Sequence, residues 1–199
     1  MTKFSISAED YNEIVRLGKI FAGKTGCREV LKRTHFKSRD EMNCPELTVE
    51  ASDGYIYGTY HVQFVEYLGD LIDFSCVPND YKVDKGTDVT FKVDGDQLLI
   101  SLVTAGFRIN IPIELDCTPY PDFTRALPSQ PDGGELKTFN AGKVASCLKW
   151  FRASENVASW RASPDCVYFS NRKRAAACVG VKKRDSMSEV LLDFTHRRA

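Results

Sequence analysis

One arrangement occurs twice along this chain: a short apolar strand, an amphipathic helix, then more strands, over residues 1–67 and again over 136–181. A helix with a single apolar stripe must bury that stripe, and strands adjacent in sequence supply the surface. The repeat therefore predicts an α+β fold of antiparallel sheets with the helices packed on one face. Between the two runs, residues 118–134 carry four prolines and two glycines, the composition of a connecting segment.

The first run opens on a strand at Lys3–Ile6, with Ser7 placed as an N-cap and Glu9, Asp10 and Glu13 in the early turns, where the helix dipole favours acids. Tyr11, Ile14, Val15 and Gly18 share one face at helical spacing, and the helix should stop by Gly23 or Gly26. Strands are expected over Arg28–Lys37, Leu47–Ala51 and Tyr55–Tyr67, the last two joined by an Asp53-Gly54 turn, and then over Thr87–Val93, Leu98–Val103 and Phe107–Ile113. The second run predicts a short strand at Leu136–Phe139 and a helix capped by Asn140. Its apolar stripe is Val144, Cys147, Leu148 and Phe151, and strands follow at Val157–Arg161, Val167–Ser170 and Ala175–Val181.

Charge divides unevenly along this repeat. Residues 1–136 hold 14 Lys/Arg against 22 Asp/Glu, whereas residues 137–199 hold 13 against 5. A basic segment following an acidic body implies either contact with a polyanion or docking between opposite charges. The seven cysteines are scattered with no C-x-x-C pair, so they read as reduced thiols and not as a zinc or redox motif. No stretch is long and apolar enough to span a membrane, and Met1–Asp10 has no apolar run after Lys3, so no signal peptide is expected and the expectation is a cytoplasmic protein without a membrane partner.

Several motifs invite a chemical reading. Gly18-Lys19-Ile20-Phe21-Ala22-Gly23-Lys24-Thr25 satisfies G-x-x-x-x-G-K-[ST], which makes a nucleotide-binding protein using Gly23-Lys24-Thr25 one alternative. Such a loop should follow a buried strand and open a helix, whereas this one lies at the end of a helical pattern. A helix C-terminus with Gly23 as stop explains the same residues. Asp94-Gly95-Asp96 reads as a hairpin turn, since the other ligands of a calcium loop are missing. His35, His61 and His196 have no partners at ligand spacing, and His35 and His61 read as sheet residues. No catalytic signature, metal set or cofactor motif is present, so the chain is expected not to be an enzyme. Arg172-Lys173-Arg174 and Lys182-Lys183-Arg184 flank a strand and read either as phosphate contacts or as solvated strand ends. Trp150, Trp160 and Tyr168 nearby can stack bases, but core or interface packing is the better reading.

Two segments carry a resemblance. Thr48-Val49-Glu50-Ala51-Ser52-Asp53-Gly54 is followed about seventy residues later by Tyr120-Pro121-Asp122-Phe123-Thr124-Arg125-Ala126-Leu127-Pro128. Together they resemble the bacterial DNA sliding clamp, the beta subunit of DNA polymerase III, in which a strand runs into an "A-T-D-G" corner and the domain closes on "[FY]-P-D-[YF]-x-R-x-x-P". On this resemblance residues 1–131 form one clamp-like domain, 132–135 a linker, and 136–199 a clamp half-domain with a basic C-terminal segment. Departures are visible. Tyr55 and Ile56 stand where the family has histidine and arginine. Only Asn79–Thr87 follow Cys76-Val77-Pro78, where the family places a second DNA-facing helix, so that helix is expected to be lost or reduced.

The resemblance implies a non-enzymatic processivity or tethering factor that contacts double-stranded DNA through its backbone and recruits polymerase or clamp-loader peptides, with a homo-oligomer as the ring-forming state. DNA contacts then fall to Arg16, Lys19 and Lys24 on the first helix and to Lys143, Lys149 and Arg152 on the second. The partner-peptide pocket falls to Gly54, Tyr55 and Tyr57 of the corner, Pro121, Arg125 and Ala126 of the exit segment, and Val179. Corner and exit segment are expected to meet in space. A clamp-fold interaction module that forms no ring is the other alternative.

Overall fold

The computed structural model describes residues 1–41, 44–77, 81–115, 118–123, 127, 139–151, 159–163 and 166–180. The chain divides into two compact units. Unit 1 comprises Met1–Gly54 and Thr59–Pro121, and unit 2 comprises Tyr55–Gly58 and Asp122–Ala199. The fold is α+β, with antiparallel sheets and two α-helices among the described residues.

Unit 1 begins with strand β1 (Thr2–Ile6) and helix α1 (Ala8–Phe21). Ser7 caps the helix as expected: its Oγ accepts from the Asp10 N–H at 3.0 Å and its hydroxyl donates to Asp10 Oδ2 at 2.6 Å. The Tyr60 hydroxyl donates to the other carboxylate oxygen at 2.6 Å, tying the first helical turn to the sheet beneath it. Tyr11, Ile14 and Val15 are buried, but Leu17 and Phe21 are buried more completely than Gly18, so the apolar face is wider than the predicted stripe.

Strands β2 (Thr34–Glu41), β3 (Cys44–Ser52), β4 (Ile56–Gln63), β5 (Glu66–Leu68), β6 (Asp73–Cys76), β7 (Asp88–Asp94), β8 (Gln97–Thr104) and β9 (Phe107–Glu114) follow. One sheet runs β5-β1-β7-β8-β9, and in the other β4-β3-β2-β6 are neighbours. In the first sheet Phe4 is in register with Phe91, and their rings stack at 4.6 Å. In the second, Phe36 is in register with both Val49 and Phe74. These rings form the centre of the core.

Two expectations need correction in unit 1. Arg28–Lys37 is not one strand: Glu29–Lys32 forms a 3-10 turn and the strand starts at Thr34. The cause is a close approach of backbone, in which the Gly23 N–H donates to the Leu31 carbonyl at 2.6 Å. A Cβ at Gly23 would lie 2.7 Å from that of Cys27, so only glycine permits it. Tyr55–Tyr67 is likewise two strands, because the chain leaves one sheet after Gln63 and joins β1 of the other through the Val65 N–H to the Ser5 carbonyl at 2.8 Å. Beyond Cys76, described residues 81–87 contain no helix, in keeping with the expected loss.

Unit 2 contains helix α2 (Ala141–Trp150) and strands β10 (Ser159–Ser163), β11 (Cys166–Ser170) and β12 (Arg174–Val179). Asn140 caps α2, its Oδ1 accepting from the Lys143 N–H at 3.1 Å. The three strands form an antiparallel meander, and the Val179 N–H donates to the Tyr55 carbonyl at 2.8 Å, so β12 continues onto the start of β4. The α2 stripe differs from the prediction at one position: Leu148 is 45% exposed whereas Trp150 is fully buried. The neighbouring strand decides this, because Arg174 of β12 is buried with its guanidinium 4.8 Å from the Trp150 ring centre. Arg174 is thus an internal cation and not one of three solvated or phosphate-facing strand-end charges, and Trp150 is a core residue. The expected strand residues 136–138, the Lys182-Lys183-Arg184 cluster and His196 lie outside the described residues.

Candidate nucleic-acid and peptide interface

The cations of α1 have unequal surroundings. Arg16 Nη1 lies 3.1 Å from Glu13 Oε2, and Glu13 is only 4% exposed. A carboxylate that deeply buried needs a counter-charge, so Arg16 serves the fold first and any external anion must share it. Lys19, in the last turn, and Lys24, in the loop that follows, are exposed. The G-x-x-x-x-G-K-T run surrounds a helix end: α1 stops at Phe21, the Ala22 N–H returns to the Gly18 carbonyl, and the Gly23 N–H is taken by Leu31. Backbone donors are therefore not fanned around a phosphate, and the phosphate-loop reading fails on this geometry. Gly18, Lys19, Ala22, Gly23 and Lys24 instead border an open cleft of about 360 Å³ that also receives Lys32.

On α2, Lys149 is exposed, while Lys143 is half-buried with its ammonium 5.0 Å from the Tyr55 ring centre. Arg152 lies outside the described residues.

At the corner, Gly54 has φ +92° and its N–H donates to Ser52 Oγ at 3.0 Å, a geometry open to glycine. Tyr55 is exposed. Within unit 2, Tyr57 is buried against Cys166 and Ala177, with Phe123, Leu127 and Tyr168 packed around them. The Tyr57 and Phe123 rings are 5.3 Å apart, so a corner residue and an exit-segment residue share one apolar cluster. Pro121 and Val179 are half-buried, and Arg125 and Ala126 lie outside the described residues.

Tyr120 of the exit segment stacks on His35 of β2 at 4.8 Å within unit 1. His35 Nε2 is 2.8 Å from Asp73 Oδ1, and its Nδ1 faces Glu50 Oε2 at 3.8 Å, an ion-pair separation beyond hydrogen-bond reach. Burial pushes the imidazole pKa down, the Glu50 and Asp73 carboxylates push it up, and the carboxylates prevail. His35 is therefore more than a sheet residue without partners: its ring lies between the Asp73 and Glu50 carboxylates and beneath Tyr120 of the exit segment.

The chain superposes on the DNA polymerase III beta subunit of Borrelia burgdorferi with a TM-score of 0.68 and 12% identity, covering 91% of this chain and 64% of that one. The corresponding subunit of Thermotoga maritima gives 0.64 and 10% identity, with 90% and 64% covered. The fold is that of the bacterial DNA sliding clamp. A Helicobacter pylori beta clamp bound to a DNA ligase peptide gives 0.60 and 12% identity, with 89% and 65% covered. The chain thus spans a little under two thirds of the length of these clamps. Its sequence matches no protein-family model and no curated protein.

Sequence reasoning missed two features of these surfaces, Lys32 at the α1 cleft and the surroundings of His35. The first had no periodicity to reveal it. The second required pairing with Asp73, which β6 brings beside β2 from 38 residues away.

Proposed function

We propose that this chain is a clamp-fold tether that holds duplex DNA by its phosphate backbone and offers an apolar site to short peptides of replication or repair proteins. The observation that carries this reading is the clamp fold over nine tenths of the chain. It is supported by exposed Lys19 and Lys24 at the end of α1 and exposed Lys149 on α2, with Arg16 and Lys143 as further cations of the two helices and Arg152 proposed from the sequence alone. Contacts of this kind neutralise phosphates without reading bases, so affinity is independent of sequence and falls with salt. For the peptide site, the apolar cluster around Tyr57 in unit 2, with Tyr55 and Val179 of the same unit, is the proposed frame, in which one or two large apolar side chains of the partner carry most of the energy.

A second reading has its own observation. Described residues 81–87 hold no helix, and Arg16 is engaged by buried Glu13, so unit 1 brings fewer cations to DNA than two helices would. This favours a clamp-fold interaction module that forms no ring.

Sedimentation of the full chain alone and with linear or circular duplex separates the readings. An oligomer retained on circular DNA but lost from linear DNA establishes an encircling tether, and a monomer that comigrates with both establishes an apposed one. Absence of comigration, with a clamp-binding peptide still captured, leaves the interaction module.

A further inference from the structure

The cleft at the end of α1 gathers positive charge from three separate segments: Lys19 from the last helical turn, Lys24 from the loop, and Lys32 from the 3-10 turn. Gly18, Gly23 and Thr34 complete much of the wall, and among the described residues neither a carboxylate nor an aromatic ring lines it. Thr34 is fully buried there, and its Oγ1 has no hydrogen-bond partner. The cleft is a built feature, since the Gly23 N–H to Leu31 carbonyl bond at 2.6 Å holds the loop against the turn. Bringing three ammonium groups to one opening is unfavourable unless an anion offsets them. A carboxylate outside the lining, that of Glu29, pairs with Lys32, its Oε1 at 2.5 Å from Nζ. Glu29 is 79% exposed, and solvent-screened pairs of this kind are weak enough for a stronger anion to displace.

Resting on the DNA-holding reading above, we infer that the DNA face of unit 1 extends beyond α1 onto the 3-10 turn, with Lys32 as an additional ligand for a backbone phosphate and Glu29 as the group that competes for it. A phosphate suits the cleft because its anionic oxygens accept from all three lysines. A base does not, since no ring among the lining residues can stack on it. Lys32 exchanges one carboxylate partner for a phosphate partner on binding, and Glu29 turns to solvent.

The test is duplex affinity by fluorescence anisotropy over a salt series, on two unrelated sequences, for the wild type, Lys32→Gln, Glu29→Gln and Lys24→Gln. Lys3→Gln serves as a matched control, since Lys3 is paired with Glu66 at 3.2 Å on β1, outside the cleft. The expected result is that Lys32→Gln lowers the slope of log K against log salt by about 0.9, one phosphate contact, and weakens both duplexes alike. Glu29→Gln tightens binding several-fold, and Lys3→Gln moves neither quantity. Melting curves of all variants should coincide, because the altered groups are at the surface. If Lys24→Gln lowers the slope while Lys32→Gln does not, or if Glu29→Gln fails to tighten binding, this extension is wrong and the DNA-holding reading stands. If the wild type binds neither duplex, that reading fails and the extension falls with it.

Discussion

Helices α1 and α2 are each followed by strands in their own unit, yet they use their charges differently. α1 has 14 residues, with Glu9 and Asp10 in its first turn and Lys19 in its last, as the macrodipole favours. α2 has 10 residues and no acid in its first turn, and Lys143 sits there against the dipole. What α2 has instead are two cation–ring contacts: Lys143 on Tyr55, and the buried Arg174 on Trp150. In α1 the corresponding internal role falls to Arg16, which answers buried Glu13. Basic residues off an apolar stripe are therefore not interchangeable phosphate ligands. Each helix commits at least one cation, Arg16 or Lys143, to a contact within its own unit.

The largest expected effect breaks unit 2 alone. Trp150→Ala should destabilise by about 3–5 kcal/mol, from lost burial and the cavity left beneath Arg174. Chemical denaturation followed by a probe in each unit should show unit 2 unfolding first, and a single unshifted transition would contradict the packing described here. Next, Arg174→Ala should cost about 2 kcal/mol if the guanidinium is a desolvated partner of Trp150. A solvated strand-end arginine would give a change near zero in the same denaturation.

His35, between Asp73 and Glu50, gives unit 1 a pH dependence of its own. Its pKa is raised in the folded chain, so protonated His35 stabilises unit 1 fully below the unfolded value of about 6.5. That stabilisation is lost as pH rises through the raised folded value. The melting temperature of unit 1 should therefore fall as pH climbs from about 6 toward the raised pKa. His35→Gln should remove this dependence, and a wild-type profile identical to that variant would refute the raised pKa of His35. The smallest effects are at the caps: Ser7→Ala and Asn140→Ala should each cost about 1 kcal/mol, read as separate shifts in the transitions of units 1 and 2.

Much of the fold is legible where local chemistry decides it. Ser7 and Asn140 cap as side-chain acceptors do, and Gly54 takes the positive φ expected of an Asp-Gly corner. What escapes a sequence reading is set by distant partners. Arg28–Lys37 has the composition of a strand, but its first half is captured by the Gly23–Leu31 bond. Leu148 and Trp150 both border the α2 stripe, and only the position of Arg174 on β12 selects the tryptophan. The candidate peptide site is legible only as motifs at the corner and exit segment, from which Tyr57 and Phe123 bring their rings together. Lys32 is not legible at all, since nothing in the spacing of residues 19, 24 and 32 places them at one cleft.

The proposed hold on DNA is a loose, sequence-independent contact with its backbone. The most direct measurement is the equilibrium affinity of the full chain for two unrelated duplexes across a salt series, beside the double variant Lys19→Glu/Lys24→Glu. The prediction is equal affinity for both duplexes, a linear fall of log K with log salt, and a slope reduced by about two contacts in the variant, or roughly 1.8. Absence of binding at low salt, or a strong preference for one duplex that the variant leaves untouched, would contradict it.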